Sequence, residues 1–231
     1  MSIAERIACD GVAIVPDVLT PEQIAALQTV AANADWSRST RGDDVFGARN
    51  ILAVPEIAQL ARAPAITAIV EACIGANAHA VRGIFFDKTA GANWPVAWHQ
   101  DLTLAVADRH EIEGWSRWSI KSGVHHVQPP VDVLERMITL RIHLDNNDVE
   151  NGPLKVLPGS HHKGRIAADR VAGLRAEIAE YVCLASAGSA LAMKPLILHA
   201  SFAAKAPRHR RTIHLEFAPA DLLPPPLRWM R

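Results

Sequence analysis

The segment Trp98-His99-Gln100-Asp101 places a histidine and a carboxylate at the spacing of two metal ligands on one strand. Side chains two apart on a strand project from the same face, so His99 and Asp101 can grip one ion together. The opposite hemisphere of that ion then stays open. A histidine arriving from a distant strand would complete a 2-His-1-carboxylate set, which holds non-haem Fe(II) and leaves positions for co-substrate and dioxygen. His199 is the candidate third ligand.

Spacing alone does not select this pair. With 11 His and 24 acidic residues in 231, about one His-x-carboxylate is expected from composition. Three occur: His99-x-Asp101, His143-x-Asp145 and His214-x-Glu216.

The elements that must position these residues change character along the chain. Val12 to Val15 reads as a short strand stopped by Pro16. Thr20-Pro21-Glu22-Gln23 then supplies an N-cap, a proline at the first helical position and early acidic charge. A second helical region covers about 55 to 74, broken near Pro64, with Ile57, Leu60, Ile66, Ile69 and Val70 on one stripe. From about residue 78 strands dominate: 80–87, 96–101, 137–145, 154–157, 180–184, 189–193, 196–199 and 211–218. Short strands separated by Gly, Pro and Asn turns point to a sandwich, jelly roll or cupin-type barrel. Residues 102–136 interrupt the series and carry Trp115, Trp118, His125 and His126. A loop of that length suits a lid over a site. No repeat or linker divides the chain, which reads as one domain.

Bulk properties exclude several classes. The chain is 49% hydrophobic, enough for a sizeable core, and its formal net charge is zero. That balance gives no electrostatic footprint for nucleic acid or an anionic membrane. Cys9, Cys73 and Cys183 form no CxxC pair and read as buried thiols of a reducing compartment. The N-terminal residues lack the apolar stretch of a signal peptide, and no apolar run reaches membrane-spanning length. The expectation is a cytoplasmic protein; its oligomeric state is not legible.

Two late strands alternate cleanly. Thr139, Arg141, His143 and Asp145 share one face, with Leu140, Ile142 and Leu144 on the other. Arg210, Thr212, His214 and Glu216 likewise oppose Ile213, Leu215 and Phe217. Such polar faces either line the mouth of a barrel or face water on an uncovered sheet.

Taken together these motifs resemble the phytanoyl-CoA dioxygenase family of Fe(II)/2-oxoglutarate oxygenases. Trp98-His99-Gln100-Asp101 is similar to its first ligand motif. Asn151-Gly152-Pro153-Leu154 through Pro158-Gly159-Ser160-His161 is similar to its central turn region. His199-Ala200-Ser201, with Arg210 eleven residues after the histidine, is similar to its distal ligand and 2-oxoglutarate anchor. Asp10-Gly11-Val12 to Val15-Pro16-Asp17 resembles its opening. The likeness spans nearly the whole chain. One departure follows the distal ligand, where Phe202-Ala203-Ala204-Lys205 replaces the family's frequent Gly-x-Pro-Asn.

The resemblance implies a mainly β double-stranded β-helix, a jelly-roll or cupin-type barrel, with N-terminal helices packed on one sheet over residues 1–231. It implies His99, Asp101 and His199 as ligands of Fe(II) and as the catalytic set. It implies 2-oxoglutarate as co-substrate, bound by Arg210 and Ser201, and dioxygen with a small-molecule substrate as partners. Relatives that halogenate lack the carboxylate, so Asp101 favours hydroxylation. Arg210 suits a carboxylate because its planar fork donates two parallel bonds. Strand parity sends Arg211 to the opposite face, and Arg208 is the next choice after Arg210. Positional analogy with the family brings Lys88 and Trp118 toward the co-substrate, against the plainer readings of a solvated lysine and a core tryptophan. His161 and His162 read as turn residues, while Arg141, His143 and His214 remain substrate or supporting candidates. The competing function is a cupin-like metal-binding protein, or a metal-dependent isomerase or hydrolase, since fold does not fix function.

Overall fold

The computed structural model describes the backbone of residues 1–33, 38–41 and 44–230. Its strands are β1 (Val12–Val15), β2 (Arg38–Arg41), β3 (Asp44–Arg49), β4 (Ala78–Phe86), β5 (Val96–His99), β6 (Leu104–Val106), β7 (Ser116–Lys121) and β8 (Val124–Gln128). They continue as β9 (Ile138–His143), β10 (Leu154–Val156), β11 (Tyr181–Cys183), β12 (Ala190–Met193), β13 (His199–Ser201) and β14 (Thr212–Pro219). The larger sheet runs β1-β12-β9-β14-β4-β3-β2, a second runs β11-β10-β13-β5, and a small third runs β6-β8-β7. Every pairing among them is antiparallel.

Alternation decides which way the larger sheet faces. Leu140 and Ile142 of β9 and Ile213, Leu215 and Phe217 of β14 are buried in one apolar cluster. The same cluster holds Ile57 and Leu60 of α3 (Pro55–Ala61) and Ile66, Ile69 and Val70 of α4 (Pro64–Ile74). Burying one such side chain is worth roughly 1.5–3 kcal/mol, more than a typical surface ion pair, so this face fixes the register. The polar face of β9 and β14 is thereby turned to the other side. Glu216 and His214 are buried there, so they do not lie on an open, solvated sheet.

Local signals account for the helix starts. Pro64 occupies the first position of α4, which ends the α3 run a turn earlier. Before α2 (Pro21–Asn33), the Thr20 hydroxyl accepts from Gln23 N, and Gln23 returns the bond to Thr20 N at 2.9 Å. Among the described residues, no single helix is long and apolar enough to cross a membrane.

The structure departs from the sequence reading in several places. A helix precedes the first strand: α1 (Ile3–Asp10) starts on a capping box in which Ser2 and Glu5 satisfy each other's backbone N–H. Strands β2 and β3 precede residue 78 and pair as a hairpin at the edge of the larger sheet. The 102–136 interruption is itself folded, into the small β6-β8-β7 sheet and the short helix α5 (Val131–Glu135). Of the three cysteines only Cys183 is buried; Cys9 is exposed and Cys73 partly so.

Candidate metal centre

His99 and His199 come from neighbouring strands of the four-stranded sheet and are paired directly across the ladder. Their rings lie 4.2 Å apart between centroids. Strand β5 ends at His99, so Asp101 lies just beyond it rather than on the strand, yet its carboxylate still meets both imidazoles. Asp101 Oδ1 is 3.8 Å from His99 Nε2, and Oδ2 is 3.7 Å from His199 Nε2. These separations are too long for hydrogen bonds and suit three groups arranged around one ion. One ligand atom from each residue falls within 4.8 Å of the others.

The backbone has already set the imidazoles for metal. His99 Nδ1 lies 2.8 Å from the Ala97 carbonyl and His199 Nδ1 2.9 Å from the Ile197 carbonyl. A carbonyl can only accept, so each Nδ1 carries the proton and each Nε2 presents a lone pair. Asp101 Oδ2 is buried without a hydrogen-bond partner. A carboxylate whose two oxygens face the Nε2 atoms of two imidazoles, one of those oxygens buried and unpartnered, fits a divalent cation.

Two supports that the sequence reading did not single out hold this geometry. Gln100, between the ligands, donates to the carbonyls of Leu196 at 2.6 Å and Gly164 at 2.8 Å. Its own oxygen accepts from Ile166 N at 2.8 Å, while Asp101 N donates to the Pro195 carbonyl at 2.9 Å. The ligand segment is thus tied to the chain leading into His199. Ser160, in the Pro158-Gly159 turn, accepts from Leu198 N at 2.8 Å. That turn thereby fixes the residue before the distal ligand.

Electrostatics keep the set ready to bind. Burial lowers the His199 pKa to about 4 despite the opposing pull of Asp101, so the ring is neutral at physiological pH. Burial works against the Asp101 charge, but His199, His214, His99 and Arg82 outweigh it and hold the pKa at about 2. The site therefore offers a neutral His199 imidazole beside an ionised carboxylate.

These ligands open onto a cavity of about 400 Å³ between the two larger sheets, lined also by Ser201, Arg210, Arg141 and His214. One corner gathers Lys88, Ser201 and Arg210. Lys88 Nζ donates to Ser201 Oγ at 3.2 Å and to the Phe202 carbonyl at 2.9 Å. The Arg210 guanidinium donates to the Gly152 carbonyl, and its Nε is buried without a partner. Gly152 has φ +61°, and a Cβ there would stand 2.5 Å from the Phe202 carbonyl oxygen, so no other residue fits this turn easily. Lys88 is 1% exposed, which overturns its reading as a solvated lysine. Burial, with Arg210 and Arg141 nearby, lowers its pKa to about 7.

The remaining candidates separate as their parity requires. Arg211 faces away and makes a two-point ion pair with Asp145, at 2.9 and 2.8 Å. Arg208 pairs with Asp148 on the surface. His214 Nδ1 meets Arg141 at 3.1 Å, and both line the cavity. His143 is buried with neither ring nitrogen hydrogen-bonded. His161 is buried in its turn, 3.3 Å from the Ala8 carbonyl. In the divergent 202–205 segment, Asn93 clamps Ala204 through both its N–H and its carbonyl, at 2.6 and 2.9 Å.

The 102–136 segment reaches the cavity through Leu102, Thr103 and Lys121, not through the residues expected of a lid. Trp115 packs instead with Leu104, Val106, Val127, Leu222 and Leu227. His125 is absent from the lining, His126 is buried against the Val124 carbonyl, and Trp118 flanks the Trp115 cluster.

Antiparallel sheets bearing two histidines and a carboxylate at the head of a cationic cavity describe a mononuclear metal-site architecture. The model of the phytanoyl-CoA dioxygenase (PhyH) family matches residues 7–212, and the chain belongs to that family. Solved structures share the fold. AviO1 from Streptomyces viridochromogenes Tue57 is 22% identical with a TM-score of 0.69, covering 97% of this chain and 96% of that one. EctD from S. alaskensis, in its apo form, is 19% identical with a TM-score of 0.73, covering 93% and 75%. The non-heme alpha ketoglutarate-dependent epimerase SnoN from nogalamycin biosynthesis is 18% identical with a TM-score of 0.68, covering 94% and 81%. EctD has been crystallised with iron, and with 2-oxoglutarate and 5-hydroxyectoine. No curated protein matches this chain.

Proposed function

We propose that this protein is an Fe(II)- and 2-oxoglutarate-dependent oxygenase that hydroxylates a small molecule, built on a double-stranded β-helix with its N-terminal helices packed on the larger sheet. The observation that carries this reading is the joint geometry of His99, Asp101 and His199 with the Lys88–Ser201–Arg210 corner of the same cavity. His99, Asp101 and His199 hold the iron, which with 2-oxoglutarate and dioxygen supplies the oxidation and yields succinate and CO2. Arg210 and Lys88 neutralise the distal carboxylate of the co-substrate, and Ser201 orients it. Ile84, Val96 and Leu154 along the wall restrict water around the reacting centre. A metal-dependent isomerase or hydrolase would need no paired cations at that corner, so the oxygenase reading is preferred.

The test is succinate formation by purified protein given Fe(II), 2-oxoglutarate and air, followed by mass spectrometry. Slow succinate release without any added substrate, accelerated by a member of a metabolite panel whose product gains one oxygen atom, supports the reading. No succinate under any condition overturns it.

A further inference from the structure

A second group of cations lines the cavity away from the Lys88–Arg210 corner. Arg82 and Ile84 share one face of β4, Arg49 of β3 is the register partner of Ile84, and so Arg49 and Arg82 are diagonal neighbours on adjacent strands. Lys121, at the end of β7, enters the same space from the small sheet. Its Nζ lies 3.4 Å from Thr103 Oγ1, at the root of the segment that leaves Asp101. The three charges feel one another: beyond the effect of burial, Arg82 and Arg49 both depress the Lys121 pKa, and Arg82 depresses that of Arg49.

Counter-charge is short here. Among the described residues lining the cavity, the carboxylates are Asp101 and Glu216. Glu216 is taken by Arg82 at 2.9 Å, and Asp101 belongs to the metal set. Glu216 offsets Arg49 and, with Asp101, Lys121, but both carboxylates are already engaged, so three cations share two carboxylates and the cluster keeps an excess of positive charge. Partly buried like charges in excess are costly, and they are kept where a ligand supplies the opposite sign.

We infer that the Arg49–Arg82–Lys121 cluster is the recognition site for the prime substrate, and that this substrate is a small organic anion presenting a carboxylate or phosphate group. The inference rests on the oxygenase reading for the word substrate; the anion site itself does not. With the co-substrate's distal carboxylate at Arg210, the two anions occupy separate groups of cations in the same cavity. The substrate's charged group is then anchored beside Asp101 and its apolar part runs along Ile84 and Leu102. Lys121 makes the small sheet a reader of substrate, in place of Trp115 and His125.

The test is an oxygen-free calorimetric titration of protein saturated with Fe(II) and 2-oxoglutarate, using 4-methylpentanoate, 3-methylbutyl phosphate and the neutral isostere 4-methylpentanamide. At least one anion should bind tenfold or more tighter than the amide, and the better of the two identifies the group recognised. Arg49→Gln with Lys121→Gln should weaken that anion at least tenfold, while Lys121→Arg restores most of the affinity. Restoration separates charge recognition from misfolding. Equal binding of amide and anions, or an unchanged anion affinity in the double variant, overturns the inference. A double variant that loses 2-oxoglutarate and not the probe assigns the cluster to the co-substrate and also overturns it. If iron and 2-oxoglutarate fail to bind at all, the oxygenase reading falls, and the anion site is still read from the same titration.

Discussion

His99 and His199 are register partners across two antiparallel strands, although one hundred residues of chain separate them. Direct pairing brings their rings to 4.2 Å and lets one carboxylate, Asp101, meet both. The metal set is thus a product of sheet register, and a slip of one residue would carry His199 to the other face.

Arg210 and Arg211 should behave as different residues despite their adjacency. Removing one partner of a buried charged contact costs roughly 2–5 kcal/mol, and each 1.4 kcal/mol is about a tenfold change in affinity. Arg210→Ala should therefore weaken 2-oxoglutarate binding well over tenfold. Arg211→Ala breaks only the pair with Asp145 and should leave that affinity nearly unchanged. Calorimetry on both variants checks this, and equal losses would contradict the assignment.

Lys88 should make 2-oxoglutarate binding depend on pH. Its pKa, lowered to about 7 by burial and by Arg210 and Arg141, rises when a carboxylate arrives beside it. Binding then takes up a proton, so affinity is greatest below pH 7 and falls as pH rises through it, by up to about tenfold per unit. Lys88→Met should weaken binding and flatten the profile. A wild-type dissociation constant that is the same at pH 6 and pH 8 would remove this role.

His143 should make the fold acid-sensitive. Burial, with Arg141 and Arg210 close by, lowers its pKa from 6.5 to about 3. The unfolded chain gains a proton there below pH 6.5 and the folded chain does not, so stability present above 6.5 is lost as pH falls. The loss is about 2 kcal/mol between pH 6.5 and pH 5. Urea unfolding at those two values should show a smaller difference in His143→Gln than in the parent. An identical difference would mean the acid sensitivity lies elsewhere.

Trp115→Ala should act on stability. The ring packs in a buried cluster with Leu222 and Leu227 near the C-terminus. Truncating a buried Trp typically costs about 3–5 kcal/mol. Melting temperature should fall sharply, with residual folded protein keeping its affinity for 2-oxoglutarate. A variant of normal stability that lost only substrate-dependent turnover would restore Trp115 to the site.

What the sequence discloses about this site follows from how local each signal is. His99-x-Asp101 is contained in one segment, and the alternation of β14, continued back over the two residues that precede it, separates Arg210 from Arg211 by parity. The Ser2-x-x-Glu5 capping box that starts α1 is an equally local signal. Positional analogy points to Lys88, but its burial is not legible, because it depends on Ser201, which is 113 residues away. Gln100 likewise acquires its role only when Leu196, 96 residues on, is folded against it. The small sheet has no sequence signature because neither of its longer strands alternates: in β8, Val124, His126, Val127 and Gln128 are all buried. The family resemblance located the ligands, but the second cation cluster comes from register between β3 and β4 and has no motif.

The most direct test of the account is the stoichiometry of Fe(II) binding, titrated without oxygen into metal-free protein. The wild type should bind one iron per chain. His99→Ala, Asp101→Ala and His199→Ala should each lose that binding while retaining the circular dichroism of the folded protein. Stoichiometric, undiminished iron binding in the folded variants would contradict the central claim.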